Sequence, residues 1–470
     1  MTQTLTRSRS LGTIVGFLVC VELASGILQG YYTPIFSDIA RHLHVQDSDV
    51  NWFEAAQLIV SGLAVPPLAR LGDQIGHRRV LLISTAVTAL GSWWLVAAPS
   101  FGTFLVGWAI QGAYVVWLPL EIAIVHRRTR GDGVRTRKAA GILVGFLYVA
   151  IIVGAGLSGA LVGAVDMRVV LAVPAVAVTL MLGVVWWGVE EMGASAPGAF
   201  DWAGLGVLVV LLGLLMAGLV VLRLQGLGSG LAWVLIVLGA ATAVPFWRVE
   251  ARQAEPLVDV HLLAERSQWP VQLAAALLGM SVLGAQIPLS TYARIDRATY
   301  GYGLGSSAGF VSLLVAVYVL VMAASSFGLP AITRRLGGHG TLIIGCLLVA
   351  LGYAAWLPFH SHTWQALANM VVVGAGTGAL VAALPAAAAA VAPPNRTAMA
   401  TGMTNATKTV GGAVASAVFA IALSATGSIA DPDPTKGAHP PLHGYLIVWA
   451  VCAVAALVAA LALWVGRPRR

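Results

Sequence analysis

The sequence predicts an all-α membrane protein, a bundle of fourteen transmembrane helices. Three observations carry this prediction: the composition, the length of the apolar segments and the distribution of basic residues between them. Of the 470 residues, 59% are hydrophobic and only 10% are charged, and the mean hydropathy is +0.86. Because soluble domains carry roughly 25% charged residues, we expect most of this chain to lie in lipid.

Fourteen segments are long and apolar enough to cross a bilayer. A crossing helix needs about 20 apolar residues, and in lipid a helix satisfies its own backbone amides. Short polar or basic stretches separate the segments. The predicted spans are 12–36, 50–72, 79–99, 102–126, 138–163, 168–189, 203–222, 229–248, 267–292, 304–329, 338–358, 363–388, 398–425 and 443–466.

The basic residues between the spans predict the orientation. Most of the 27 Lys and Arg residues fall in alternate connecting segments, for example at Arg78, Arg79 and 127–138. Since such residues accumulate in cytoplasmic loops, we expect both termini to be cytoplasmic. The net charge of +8 then reflects topology and not nucleic-acid binding. We expect a multi-pass protein of a bacterial inner (plasma) membrane.

An internal repeat divides the chain. GAYVVWLPLEIAIV at 112–125 resembles GALVAALPAAAAAV at 378–391, and a weaker pair at 68–82 and 330–344 has nearly the same offset. Duplicated halves around a central cavity are typical of transporters. The repeat predicts an N-terminal six-helix half at 1–190, an inserted two-helix hairpin with cytoplasmic linkers at 191–266, and a C-terminal six-helix half at 267–470.

The loop after the second span carries a motif, LARLGDQIGHRR. It contains an acid at Asp73, a turn glycine at Gly76 and the bases Arg78 and Arg79. This loop resembles the signature of the major facilitator superfamily, in its fourteen-span drug:proton antiporter branch. The resemblance implies the major facilitator fold and a conformational latch formed by these four residues, in which the acid pairs with bases and helix termini. In the alternative interpretation the two arginines are only positive-inside anchors.

Several positions depart from the pattern of that family. Trp108 stands where span four usually carries a basic residue, although Gln111 is retained, and Ser25 stands where span one usually carries an Asp. Span five lacks the usual proline but keeps the antiporter-motif glycines Gly154, Gly156 and Gly159. These departures leave open an uncoupled facilitator or a dedicated metabolite carrier.

Ionisable residues inside the spans are candidate functional groups, because burying one in lipid costs several kcal/mol unless it has a partner or lines water. Glu22 in span one and Glu121 in span four are the predicted proton-coupling residues. The alternatives are that Glu22 only packs helices and that Glu121 pairs with the basic loop at 126–138. Glu54 either faces the cavity or begins a solvated helix, and Lys408 is a candidate partner for a carboxylate of the other half.

Polar and aromatic residues near these groups define a predicted substrate cavity. Glu22, Ser25 and Gln29 form a polar stripe on one helix, and aromatic rings beside carboxylates suit a lipophilic cation. The alternative is that the aromatic residues only pack against helices or lipid. The predicted cavity residues are Ser25, Gln29, Tyr32, Glu54, Trp108, Gln111, Trp117, Asn369, Asn405 and Lys408.

The motifs that are missing narrow the function. The sequence has no GK[ST] phosphate loop and no Cys/His cluster, so we expect no ATP hydrolysis, no cofactor and no metal. We predict a monomeric, non-enzymatic secondary transporter in the lipid bilayer. It would export lipophilic small molecules such as drugs or antibiotics, cations among them, in exchange for protons. Besides the facilitator and the metabolite carrier, a membrane sensor without transport stays open.

Overall fold

The computed structural model describes residues 11–129, 132–191, 201–253, 256–392, 397–424 and 440–466. Within these ranges the regular structure is helical apart from one bridge between Val162 and Val165. The helices are α1 (Leu11–Tyr31), α2 (Phe36–His42), α3 (Asn51–Ile75), α4 (His77–Ala97), α5 (Phe101–Gln111), α6 (Trp117–Arg128), α7 (Gly133–Leu161), α8 (Met167–Gly188), α9 (Trp202–Gln225), α10 (Gly230–Ala241), α11 (Ala243–Glu250), α12 (Val260–Ala264), α13 (Trp269–Gly279), α14 (Gln286–Arg294), α15 (Arg297–Tyr300), α16 (Ala308–Ala355), α17 (Thr363–Val391), α18 (Thr397–Leu423) and α19 (Leu442–Val465).

The bundle has two ends, which we name by their residues. The inner end is where α1 and α7 begin and where α3, α6 and α8 end. The outer end is the opposite one, where α1 continues through Thr33–Ile35 into α2 and where α14 ends. The names follow the orientation that the basic residues predict.

The described residues contain twelve helical stretches that are long and apolar enough to cross a membrane. The longest is α16, whose 48 residues would measure about 72 Å at 1.5 Å per residue. This is more than twice the roughly 30 Å hydrocarbon core of a bilayer. The twelve establish a multi-pass helical membrane protein, while the count of fourteen stays a prediction.

Gly337 breaks α16. Its φ of 71° and ψ of 165° lie outside the helical region, and only glycine adopts this conformation without strain. The break falls between the predicted tenth and eleventh spans. The 25-residue helix α3 is not among the twelve stretches, although it contains most of the predicted second span.

The buried hydrophobic residues form two large clusters. One joins residues between Ile14 and Val189 together with Ile287, and the other joins residues between Leu262 and Leu463. We call the helices that carry them the first group (α1–α8) and the second group (α13–α19). A small third cluster, centred on Trp52 and Ala417, lies where α3 of the first group meets α18 of the second.

Helices α9 and α10 pack against each other through glycines. A Cβ atom at Gly218 would overlap Ile236, and one at Gly239 would overlap Leu215. Met216 and Leu219 of α9 pack on the small third cluster. The pair therefore covers the seam between α3 and α18.

One crossing of the first group is not a regular α-helix. The stretch Phe101–Arg128 changes from α5 to a 3₁₀ segment at Gly112–Val116 and then to α6. Such a segment leaves carbonyl groups that an α-helix would satisfy, and in lipid they need other donors. The predicted residues Gln111 and Trp117 flank this irregular segment.

Candidate functional site

Glu22 of α1 and Glu121 of α6 lie against each other inside the first group. Both side chains have 0% exposure, and the two carboxyl groups interact with each other electrostatically. No nitrogen or hydroxyl donor of the described residues reaches any of their four oxygens. The sequence could name the two acids separately, but it did not predict that they would meet.

A carboxylate only accepts hydrogen bonds, so a bond between two carboxyl groups requires that one of them carries a proton. Two ionised carboxylates in contact at a site without water would repel each other strongly. Contact between the two groups therefore favours a state in which the pair carries at least one proton. Glu121 forms no ion pair with the described part of the basic loop at 126–138, which was the alternative for this residue.

Helix α3 supplies the donors that the irregular crossing needs. Ser61 Oγ donates to the carbonyl oxygen of Gly112 at 3.0 Å, and Gln57 Nε2 donates to that of Trp108 at 3.4 Å. A Cβ atom at Gly112 would approach Gln57 and Ser61 within about 3 Å, so glycine permits this contact. These bonds fix the segment that leads to Glu121.

Gln111 is the polar centre of the next layer. Its amide nitrogen donates to the hydroxyl oxygen of Tyr32 at 3.0 Å and to that of Ser92 at 2.9 Å. The Trp108 ring is buried against Tyr32, at a centroid distance of 4.5 Å, and against Phe53 at 5.7 Å. Where the resembling family carries a basic residue, this chain thus has an aromatic cluster.

Tyr114 lies close to predicted residues of α1 and α3, and sequence reasoning missed it. It lies within the 3₁₀ segment, is buried, and interacts electrostatically with Glu22, Tyr32 and Glu54. Glu54 itself is half-buried near the start of α3. The tyrosine lies two residues after Gly112 in the sequence, and this closeness to the retained Gln111 and Gly112 was the one available signal.

The remaining predicted residues of the first group differ in exposure. Ser25 is buried and accepts a hydrogen bond from Gln29 Nε2 at 3.2 Å, while Gln29 is exposed. Trp117 is fully buried beside Tyr114, at a centroid distance of 6.0 Å. The polar stripe of α1 therefore runs from the buried pair toward an accessible surface.

Lys408 and Asn405 lie apart from these groups, on α18 of the second group. With Thr404 they contribute the polar lining of a small cavity of about 40 Å³ between α13, α17 and α18. Lys408 forms no ion pair with any carboxylate that the structure describes, so the suggested pairing with the other half is not observed. Asn369 is buried near the outer end, where its amide donates to the carbonyl oxygen of Phe359 at 2.9 Å.

The signature loop between α3 and α4 is held by the end of α8. Gly76 has a φ of 106°, and a Cβ atom there would overlap the carboxylate of Glu191. Arg78 donates to the carbonyl oxygen of Trp186 at 2.6 Å, and its guanidinium group lies 5.5 Å from the centre of that ring. Arg79 and Glu191 approach within 3.9 Å.

A second ion pair strengthens this inner-end network. Arg128 of α6 lies 3.2 Å from Glu190, and Arg127 contacts the ring of His77 at 3.4 Å. Glu190 and Glu191 were not singled out in the sequence, although an adjacent pair of acids at the end of an apolar span is visible there. The side chain of Asp73, the fourth predicted latch residue, lies outside the described residues.

The three glycines of the antiporter motif have different surroundings. Gly154 packs against Ile27 and Tyr31 of α1, and a Cβ atom at Gly159 would overlap the hydroxyl group of Ser312 on α16. Gly156 is exposed, and a Cβ atom there would have no other atom within 4 Å. Two of the glycines therefore permit close helix packing, and only Gly159 does so between the two groups.

The two groups meet at the outer end. Arg294 of α14 binds Asp38 of α2 with nitrogen–oxygen distances of 3.0 and 3.2 Å. Ser312 donates to the carbonyl oxygen of Ala155 at 2.6 Å, and Ser290 donates to that of Thr33. These contacts hold the outer end closed.

Comparisons with known proteins agree with this architecture. The family model of the Major Facilitator Superfamily matches residues 18–297 and 271–470. The chain superposes on the solved structure of the nucleoside transporter NupG (D323A mutant) with a TM-score of 0.69. The superposition covers 97% of this chain and 100% of that one, at 13% sequence identity. At this identity the likeness concerns the fold alone.

Two curated relatives have names that describe different functions. The uridine/deoxyuridine transporter of Lactococcus lactis subsp. cremoris (strain MG1363) is 29% identical over 78% of this chain and 81% of its own length. The puromycin resistance protein pur8 of Streptomyces alboniger is 26% identical over 91% of this chain and 85% of its own. With the family model matching nearly the whole chain, this protein belongs to the Major Facilitator Superfamily of membrane transporters.

Proposed function

We propose that this chain is a secondary active transporter that exports lipophilic small molecules, such as drugs or antibiotics and cations among them, in exchange for protons. The single observation that carries the proposal is the carboxyl pair of Glu22 and Glu121, buried inside the first group without any other described partner. The relatedness to a puromycin resistance protein supports export of such compounds.

The pair suits proton exchange because its charge depends on the water that reaches it. While the site is dry, the two carboxyl groups hold at least one proton. When the bundle opens to water or a cationic substrate approaches, both groups can ionise and the proton leaves. Protons then exchange for substrate if the site is open to only one side of the membrane at a time.

The closed outer end supports alternating access. In the state described, Asp38–Arg294 and Ser312–Ala155 hold the two groups together there. Transport by this proposal requires these contacts to break while the inner end closes. The predicted latch of Asp73, Gly76, Arg78 and Arg79 would then act on the first group at the inner end.

The proposed topology has fourteen crossings in a bacterial inner membrane, with both termini cytoplasmic. This number is reached when α16 is divided at Gly337 into two crossings and α3 is added to the twelve apolar stretches. The halves are residues 1–190 and 267–470, and the hairpin between them is the α9 and α10–α11 pair. We propose that a single chain is the working unit.

The test measures proton movement directly. Purified protein is reconstituted into vesicles loaded with a pH-sensitive dye, and lipophilic cations are added under an imposed pH gradient. We expect substrate-dependent proton movement in the native protein and in Glu265→Gln, an exposed control, but at least tenfold less in Glu22→Gln and in Glu121→Gln. Native coupling in both single variants would overturn the proposal.

A nucleoside carrier is the second candidate, and the relatedness to a uridine/deoxyuridine transporter favours it. In this case Lys408 and Asn405 would supply hydrogen-bond donors to a polar substrate. Uptake of labelled uridine that resists a protonophore, together with no movement of lipophilic cations, would favour an uncoupled carrier. Uridine uptake that requires Lys408 would assign the cavity on α18 to the substrate.

A further inference from the structure

A groove opens between α1 and α7 at the inner end. The two helices run parallel there and are packed through Gly26, Gly30 and Gly154 only in their outer parts. The groove has a volume of about 610 Å³. Its lining residues are Gly12, Val15, Gly16 and Val19 of α1 and Arg135, Lys138, Ala139, Ile142 and Phe146 of α7.

Basic groups stand at one end of this groove. Arg135 and Lys138 are exposed residues on successive turns at the start of α7, before the apolar lining residues begin. Asp132, the neighbouring described acid, lies 3.3 Å from Arg135 and also accepts the backbone N–H of Arg135. Among the described lining residues, Lys138 supplies one positive charge in addition to this pair.

The rest of the groove is apolar and open. Ile142 and Phe146 are 41% and 44% exposed, and no atom lies within 4 Å of a Cβ position at Gly16. The lining extends from Arg135 to Phe146 along α7, a rise of about 16 Å at 1.5 Å per residue. One leaflet of a bilayer has a hydrocarbon depth of about 15 Å.

We propose that this groove binds one anionic phospholipid of the surrounding bilayer. Arg135 and Lys138 hold the phosphate group, and one acyl chain lies along α1 beside Gly16 and against Ile142 and Phe146. Basic pockets between membrane helices select anionic headgroups in this way. Each methylene group of the acyl chain that is buried in the apolar groove adds to binding. The proposal does not depend on which substrate the chain transports.

The experiment adds lipid to the purified full-length protein in detergent. Dioleoyl phosphatidylglycerol and dioleoyl phosphatidylcholine share their acyl chains and differ in charge, and the melting temperature and the bound lipid by native mass spectrometry are recorded for each. We expect phosphatidylglycerol to raise the melting temperature more. Arg135→Gln/Lys138→Gln should lose at least half of this difference and one bound phosphatidylglycerol.

Two further variants separate the charge from the groove. Gly16→Phe places a large side chain in the groove at a position where a Cβ atom would have no other atom within 4 Å, so it should also release the bound lipid although both bases are intact. Arg334→Gln/Arg335→Gln removes two exposed bases elsewhere and should behave like the native protein. The proposal is overturned if neither groove variant changes lipid binding, if the control loses it equally, or if inorganic phosphate alone reproduces the stabilisation.

Discussion

The buried carboxyl group of Glu22 on α1 interacts with the buried carboxyl group of Glu121 on α6, which lies 99 positions away in the sequence. Neither carboxyl group has a described hydrogen-bond partner. The two side chains therefore act as one proton-binding unit, and the effects of changing them should not add.

The first prediction concerns this non-additivity. Glu22→Gln and Glu121→Gln should each reduce the rate of proton-coupled transport at least tenfold. The double variant should transport no more slowly than the slower of the two single variants, because removal of either acid already abolishes the proton that the pair holds. Rates in vesicles under a pH gradient measure this. Losses that multiply in the double variant would show two independent acids.

The second prediction concerns Asp38 and Arg294. Asp38→Asn should weaken the contact between the two groups at the outer end by about 1 kcal/mol, which raises the open fraction about fivefold. In a protein without native cysteines, an Ala308→Cys reporter at the buried start of α16 should react faster with an impermeant maleimide. The rate of that reaction is the measurement.

Arg41 provides the control for that experiment. It also contacts Asp38, but from the same short helix and with a largely exposed side chain. Arg41→Gln should leave the labelling rate at position 308 unchanged. If Arg41→Gln accelerated labelling as much as Asp38→Asn, the contact to Arg294 would not be what holds the outer end closed.

The sequence predicted a multi-pass helical membrane protein because lipid imposes one simple requirement, about 20 apolar residues in a helix that satisfies its own amides. It could not predict the site with equal success. Glu121 reaches Glu22 through a crossing that changes to a 3₁₀ segment at Gly112–Val116, and that change depends on Gln57 and Ser61 of another helix. No local pattern in the sequence encodes such a contact.

Contacts between distant segments account for the other differences. Trp108 is enclosed by Tyr32, Phe36 and Phe53 from other parts of the first group and by Phe104 of its own helix. Its position in the family pattern did not indicate these contacts. Lys408 was considered as a partner for an acid of the other half, yet it faces a cavity lined mostly by aliphatic residues. The type of a residue in the sequence identifies candidate functional residues, but it does not say which of them contact each other in the folded protein.

The third prediction concerns the buried ion pair of Asp49 and Arg223. The two side chains are 2.9 Å apart and each is only 2% exposed, so they attach α9 to the loop before α3. Burial raises the pKa of Asp49, while the positive charge of Arg223 opposes this rise. Arg223→Leu should therefore destabilise the protein by about 3–5 kcal/mol, and Asp49→Leu/Arg223→Leu should recover most of the loss.

The pH dependence of Arg223→Leu follows from the same pair. Without the guanidinium group, the pKa of Asp49 should rise further above its ordinary value, so the folded state binds its proton more tightly than the unfolded state does. Stability then falls as the pH rises. Relative to the native protein, the melting temperature of Arg223→Leu should drop between pH 5 and pH 8. Arg168→Leu, an exposed change at the same end, should show no such drop.

The fourth prediction compares two glycines on one helix. A side chain at Gly159 would overlap Ser312 and crowd the carbonyl oxygen of Ala308, whereas Gly156 has open space around it. Both changes to valine have the same intrinsic effect on α7, so their difference reports the crossing of α7 and α16. We expect Gly159→Val to cost about 1–3 kcal/mol through overpacking and Gly156→Val to be nearly neutral.

Thermal unfolding in detergent and maleimide labelling at position 308 measure this difference. Gly159→Val should lower the melting temperature and accelerate labelling together, because the hydrogen bond from Ser312 to the carbonyl oxygen of Ala155 must separate when the helices move apart. A Gly159→Val/Ser312→Ala variant removes the overlapping hydroxyl group and should recover part of the stability. If the two single glycine variants behaved alike in both measurements, the close approach of α7 and α16 at the outer end would not hold the two groups together.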